Sequence, residues 1–211
     1  MHTYHPIDLQ NWERRDIYEH FSRLKTPHYA VAATIDVTRL LEYKRQHRLS
    51  FYLSLIYLAT QALNGLEAFR MRIKDGKPVV YDRIHTNFTH KRPDEQVFHF
   101  YTAPFEGSLH EYVAATSLAI AEQTTLFAGM APLQNVVYYS CAPTLDATAI
   151  TNPGLDSPDD AIPRINWGRY QQRDGRWLLN VTVTVNHRFV DGYHIGLFFQ
   201  RLQALIDDLT T

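Results

Sequence analysis

The chain has a single cysteine, Cys141, among its 211 residues, so no intrachain disulfide can form. Its neighbours Asn135-Val136-Val137-Tyr138-Tyr139-Ser140 are mostly apolar, which reads as a buried thiol in a reducing compartment. Excess charge is equally scarce. With 21 basic and 22 acidic side chains the formal net charge is -1, and no large field exists to draw in nucleic acid or an anionic membrane. No apolar run approaches the ~18 residues of a membrane span, and Met1-His2-Thr3-Tyr4-His5-Pro6 lacks a charged-then-apolar leader. These absences predict a soluble, cytoplasmic protein with neither nucleic acid nor membrane as a partner. Repeats, low-complexity tracts and linker-like composition shifts are also missing, so residues 1–211 are expected to form one domain. Phosphate loops of the G-x-x-x-x-G-K-[ST] or G-x-G-x-x-G type do not occur, which argues against nucleotide hydrolysis and dinucleotide chemistry. Without a G-x-S-x-G elbow an acyl-serine hydrolase is disfavoured. His85, His90, His99 and His110 fall on separate elements without a tight ligand spacing, so no metal site is expected.

What is present is enough apolar material, 45% of the chain, for a substantial core. Trp12, Ile17, Phe21 and Leu24 give an approximate helical stripe over 11–24. Residues 29–37 read as a strand, and Val37, Leu40, Leu41 and Lys44 resume helical spacing to 47. Ser50 is a candidate N-cap before the run 51–66, which is apolar nearly all round and therefore a buried helix, with Gly65 at its stop. Strands at 69–73 and 79–81 flank Asp75-Gly76, a hairpin signal, and two more follow at 85–90 and 96–102. Ser108 and Glu111 have capping-box spacing for a helix to 123. Strands at 135–142, 165–172 and 177–186, the last two joined by Asp174-Gly175, precede a C-terminal helix over 191–209. Strands and helices mix without strict alternation, so the expected fold class is α+β: two layers, helices packed on a mixed β-sheet.

The chemistry concentrates at the end of the last strand. Leu179, Val181, Val183 and Val185 alternate with Asn180, Thr182, Thr184 and Asn186, a period of two that delivers His187 at the strand end. Asp191-Gly192 then starts the final helix, with Asp a good N-cap. An imidazole with an unperturbed pKa of about 6.5 is the usual proton acceptor near neutral pH. Taken alone, H-x-x-x-D-G is a weak pattern in a chain with 11 histidines.

Its surroundings add to it. Asn186-His187-Arg188-Phe189-Val190-Asp191-Gly192, followed by His194-Ile195-Gly196-Leu197-Phe198-Phe199, resembles the signature of chloramphenicol acetyltransferases and of lipoate-dependent acyltransferase cores. Asn11-Trp12-Glu13-Arg14-Arg15 resembles the N-W-x-R-R start of the first family, and Arg70-Met71-Arg72-Ile73-Lys74-Asp75 its R-M-x-I-K-D hairpin. Tyr170-Gln171-Gln172-Arg173-Asp174-Gly175-Arg176-Trp177-Leu178-Leu179 is similar to its Y-Q-Q-E-G-D-R-L-L-L stretch. These matches run in order over nearly the whole chain.

The resemblance implies an acetyl-CoA-dependent O-acetyltransferase of the same fold, working without a metal as a homotrimer with active sites between subunits. It implies that His187 deprotonates an acceptor hydroxyl, which attacks the thioester directly. It also implies that Asp191 supports the site by pairing with Arg14, which could otherwise be an exposed helix charge. In Ser140-Cys141-Ala142-Pro143, similar to the family's S-x-x-P, Ser140 becomes the oxyanion donor, its alternative being a core hydroxyl bonded to backbone. Asn166 stands where the family has a water-ordering threonine, Asn186 replaces the first motif histidine, and Thr144 replaces a tryptophan. The stretch after the first helix is expected to bind the acceptor through Phe21, Lys25 and Tyr29, although Lys25 stands where an apolar residue is usual. The acceptor is thus chloramphenicol or another small-molecule alcohol. Lipoyl transfer is a weaker variant, and a non-catalytic trimeric binding protein is the remaining alternative. Polar Asn180, Thr182, Thr184 and Asn186 offer a face that could pair with a neighbouring subunit.

Overall fold

The computed structural model describes residues 3–129, 134–153 and 157–210. Its architecture is α+β, with helices packed on a mixed sheet. The sheet is organised around β11 (Arg176–Asn186), which has β2 (His28–Asp36) antiparallel along one side. Along its other side lie β10 (Gln171–Arg173) and then β9 (Arg164–Trp167), both antiparallel. The sheet continues through β8 (Val136–Cys141), β5 (His85–His90), β6 (His99–Ala103) and β7 (Phe127–Gly129), with β9–β8, β8–β5 and β6–β7 parallel. A separate three-stranded sheet runs β1 (Tyr4–Pro6), β4 (Lys77–Tyr81), β3 (Met71–Lys74).

Five α-helices complete the described chain: α1 (Arg15–Ser22), α2 (Thr38–Gln46), α3 (Phe51–Asn64), α4 (Leu109–Glu122) and α5 (Gly192–Asp207). Helix α3 begins where Ser50 accepts the Leu53 N–H, and it is buried almost throughout because α2, α4 and α5 all pack on it. Ile56, Leu63 and Phe198 are fully buried between these helices and the sheet. No helix among the described residues is long and apolar enough to cross a membrane.

Several boundaries depart from the periodic reading. Asp8 accepts hydrogen bonds from the Gln10 N–H (3.0 Å) and the Asn11 side chain (2.7 Å), a local turn that competes with helix, so α1 starts only at Arg15. Phe69 and Arg70 belong to a 3-10 turn ahead of β3. The expected strand 165–172 is two strands, because at Gly168 the backbone leaves the ladder. The Arg169 N–H bonds to Leu145 O at 2.7 Å, and a Cβ on Gly168 would lie 2.5 Å from that same oxygen. Strands β1 and β7, three residues each, were not expected: they are too short for a period to register. Both Asp-Gly hairpins form as expected, with φ of 50° and 73° at Asp75 and Gly76 and of 49° and 78° at Asp174 and Gly175. Two positive φ values at the tip match the twist of the strands they join.

One expectation about the sheet is corrected. The polar face of β11 is not open for a neighbour, because described residues between β8 and β9 cover it. Thr182 Oγ1 accepts the Ile150 N–H at 3.1 Å, the Asn180 side chain donates to Ala147 O at 3.3 Å, and the Asn186 side chain donates to Pro158 O (2.8 Å) and Asp160 O (3.0 Å). Thr182, Thr184 and Asn186 are consequently buried.

Candidate active site

Strand β11 ends at Asn186, and a turn follows because Asn186 O accepts the N–H groups of Phe189 and Val190. That turn carries His187. Its N–H donates to Pro27 O at 2.8 Å, tying it to the residue before β2. Its ring is stacked by Phe21 (centroids 4.0 Å apart, planes 8° apart) and by Tyr29 (4.4 Å, 26°). Two rings so nearly parallel to the imidazole, and not in contact with each other, occupy its opposite faces. Of the two ring nitrogens, Nδ1 is buried with no hydrogen-bond partner. Tyr29 also has a buried, unpartnered hydroxyl, and burial, with the Asp191 charge adding to it, pushes that phenol up to about 12.

Asp191 caps α5: its Oδ1 accepts the N–H groups of Tyr193 (3.1 Å) and His194 (3.3 Å). Its Oδ2 takes a 2.6 Å hydrogen bond from Arg14 Nη1. Burial works against its ionisation, but the Arg14 hydrogen bond and the positive charges beside it prevail and hold the carboxyl down to about 2. Arg14 is therefore no exposed helix charge. Its side chain is 13% exposed, and besides Asp191 it donates to Arg188 O (3.2 Å) and to His187 O (3.4 Å). The guanidinium thus ties the turn before α1 to the main chain at His187.

Ser140 sits elsewhere. It lies near the end of β8 and lines a cavity of about 1200 Å³, together with Tyr52, Thr89, Trp167 and Tyr170. Among the described residues its hydroxyl meets only the Thr89 hydroxyl, at a long 3.4 Å, so it is not consumed by a backbone bond. Next to it in register is Asn166, whose Nδ2 donates to Asn152 Oδ1 at 2.5 Å and whose Oδ1 is buried without a partner. Cys141 shares the cavity, and burial pushes its thiol up to about 12, well away from a reactive thiolate.

The structure joins His187, Phe21, Tyr29, Asp191 and Arg14 in one place and Ser140 with Asn166 in another. His187 is absent from the cavity lining. Ser140, Asn166 and Thr182 are level across three strands, and His187 lies five residues beyond Thr182. At ~3.3 Å per residue and ~4.8 Å per strand, His187 and Ser140 are roughly 19 Å apart. Ser140 also shares the sheet face of Thr182, opposite to that of Val181, Val183 and Val185 leading to His187. Lys25 stands apart from both groups, in an exposed bend between α1 and β2. Two contributors escaped the sequence reading. Pro27 acts through its carbonyl, which no side-chain pattern reveals. His194 bonds Asp191 through Nδ1 at 2.8 Å, and its only sequence signal is its place three residues after the cap. Among the described residues no group of three or more His, Cys, Asp or Glu could hold a metal ion.

The fold that carries this histidine has solved counterparts. A chloramphenicol acetyltransferase superposes with a TM-score of 0.88 over 97% of this chain and 100% of its own, at 22% identity. The dihydrolipoamide acetyltransferase of Azotobacter vinelandii matches at 0.68 over 90% and 85%, at 18% identity. At those identities the likeness defines the fold, one shared by acetyltransferases. The family follows from sequence: the chloramphenicol acetyltransferase model matches residues 2–203, and the chain belongs to that family. It is 30% identical to the chloramphenicol acetyltransferase of Streptomyces acrimycini, covering 96% of this chain and 94% of the relative. To chloramphenicol acetyltransferase 3 of Escherichia coli it is 28% identical, covering 96% and 97%. The protein is therefore an acyltransferase that transfers acetyl groups.

Proposed function

We propose that residues 1–211 act as one acetyltransferase unit that moves acetyl from acetyl-CoA to the hydroxyl of a small molecule, with His187 as general base. The observation that carries this reading is the setting of His187. Its backbone is pinned on both sides, at N–H by Pro27 and at C=O by Arg14, and its ring is fixed between two aromatics. With Nδ1 buried, Nε2 is the nitrogen left to meet a substrate. The acceptor hydroxyl gives its proton to Nε2 while its oxygen attacks the thioester carbonyl carbon. The C–S bond then breaks, and the departing thiolate takes that proton from the imidazolium, so base and proton donor are one group.

Charge develops on the thioester oxygen during the attack, and Ser140 is the donor we assign to it, its hydroxyl being uncommitted at the cavity. Asn166, with a free buried carbonyl beside it, supports the polar lining there. Asp191 and Arg14 hold the His187 main chain and move no proton. A base and an oxyanion donor must both lie within about 3 Å of the reacting atoms, whereas the two groups are far apart in one chain. The active site is accordingly assembled from two copies, His187 of one facing the Ser140 cavity of the next. Heterologous contacts of this kind close as a ring, and a homotrimer is the ring we propose. Phe21 and Tyr29 form the acceptor side through their stack on His187, and Lys25, exposed in the bend between the elements that carry them, is proposed to meet the acceptor from solvent.

The test is release of CoA thiol from acetyl-CoA, followed with a disulfide dye, with and without chloramphenicol and then with other small alcohols. Acceptor-dependent release that His187→Ala abolishes is the expected result. Turnover by His187→Ala within about tenfold of wild type would remove His187 as the base.

A further inference from the structure

Asp191 is ionised throughout the neutral range, so its oxygens can only accept hydrogen bonds. The Nδ1 of His194, 2.8 Å from Oδ1, must then carry a hydrogen. The Asp191 N–H also approaches this nitrogen, at 3.3 Å, but that contact would need a lone pair on Nδ1, so the two bonds exclude each other. The shorter, charge-assisted bond to the carboxylate wins. His194 thus stands at the head of a chain of bonds running Nδ1–H to Asp191 Oδ1, Arg14 Nη1 to Asp191 Oδ2, and Arg14 Nη2 to His187 O.

We propose that His194 is a positioning residue for acetyl transfer: its Nδ1–H fixes the Asp191 carboxylate, which fixes Arg14, which holds the carbonyls of His187 and Arg188 and so aims the catalytic ring. The terminal torsion of an aspartate is soft, and the two amide hydrogen bonds on Oδ1 lie on the helix side only. The imidazole adds a third donor to Oδ1, so Oδ2 stays turned toward Arg14. The side chain of His194 is itself 23% exposed and anchored in the first turn of α5, which makes it a brace between that helix and the His187 turn. Its neutral and protonated forms both donate from Nδ1, and the brace therefore does not depend on the charge of the ring.

This inference rests on His187 being the base, and the experiment keeps the two apart. The variants His194→Asn, His194→Gln and His194→Ala are compared by kcat, KM for acetyl-CoA and melting temperature, alone and in an Asp191→Asn background. Asparagine places an amide N–H where Nδ1 stands, and glutamine does not. His194→Ala and His194→Gln are expected to lower kcat about tenfold with KM for acetyl-CoA little changed, since a small misplacement of a reacting group is felt mainly in kcat. His194→Asn should recover most of that loss, and in the Asp191→Asn background the alanine change should have no further effect on kcat. Asparagine as poor as glutamine would show that ring packing matters and the donor does not. Additive losses with Asp191→Asn, or full kcat in His194→Ala, would overturn the inference. If His194→Ala does not fold, the asparagine and glutamine pair alone decides it. An inactive His187→Ala beside a fully active His194→Ala refutes this inference only; an active His187→Ala refutes the reading beneath it.

Discussion

If a site needs His187 from one copy and Ser140 from the next, two inactive proteins should make an active one. His187→Ala and Ser140→Ala chains, co-expressed with different affinity tags and purified on both, give only mixed rings. In a head-to-tail ring of three, a site works when the copy supplying His187 is the Ser140→Ala chain and the copy supplying Ser140 is the His187→Ala chain. Going once round a 2:1 or a 1:2 ring, one and only one interface meets that condition. The specific activity of hybrids should therefore be about one third that of wild type. The background is low, since losing an oxyanion donor leaves on the order of 10⁻² of the rate and losing the base leaves less. The readout is CoA thiol release on the doubly purified material, with mass from light scattering. A dimer with two reciprocal sites would give about one half, so the fraction also reports the geometry. The structural basis is the roughly 19 Å between the two groups across the sheet within one chain. Hybrids no more active than their parents would show that both groups act within one chain, and the division of the site would be wrong.

Ser140→Ala alone should lower kcat on the order of 10²-fold with KM little changed, because the bond strengthens only as charge develops; an effect confined to KM, measured by steady-state kinetics, would place Ser140 in ground-state binding. Asp191→Asn and Arg14→Ala should each reduce activity and stability together, by on the order of 2 kcal/mol in denaturant unfolding, and the double variant should be no worse than either single. Strict additivity would show that the two do not interact. Because the Asp191 carboxyl is held down to about 2 from an ordinary value of 3.8, its contribution to stability is complete above pH ~4 and is lost as pH falls through ~2. Asp191→Asn should therefore flatten that part of the acid-unfolding curve, and an unchanged curve would contradict the pairing.

Much of the fold was legible because it rests on short-range rules. Ser50 and Ser108 are capped as their spacing suggests, both Asp-Gly tips turn with positive φ, and the period-2 run before His187 is the long central strand. What was not legible depends on partners distant in sequence. The break at Gly168 exists because Leu145 O approaches from another segment. The alternating polar residues of β11 suggested a free face, since periodicity reports only that one side is polar and cannot say that Ala147, Ile150, Pro158 and Asp160 cover it. Arg14 lies between the two: its local pattern is that of a surface charge, the family resemblance implied its pairing with Asp191, and the 2.6 Å bond between residues 177 positions apart makes it a clamp.

The replacement of the family's first motif histidine by Asn186 bears on how this site tolerates change. Asn186 is buried at the last position of β11, and both ends of its side-chain amide are engaged. Its Nδ2 donates to Pro158 O and Asp160 O, while its Oδ1 accepts the Arg188 N–H at 3.1 Å. Asp160 O also lies 2.6 Å from His28 Nε2 in β2. The residue before His187 is therefore a knot between the strand end, the covering segment and β2, and it shapes the turn through which His187 leaves the sheet. A histidine there would bring at most two ring nitrogens to the three bonds that the amide makes. The work of this position is to hold backbone, and an amide does it with donors and an acceptor in one group. That separates its role from the proton chemistry one residue on, and it explains how the motif can lose its first histidine while the geometry around His187 stays closed on both sides.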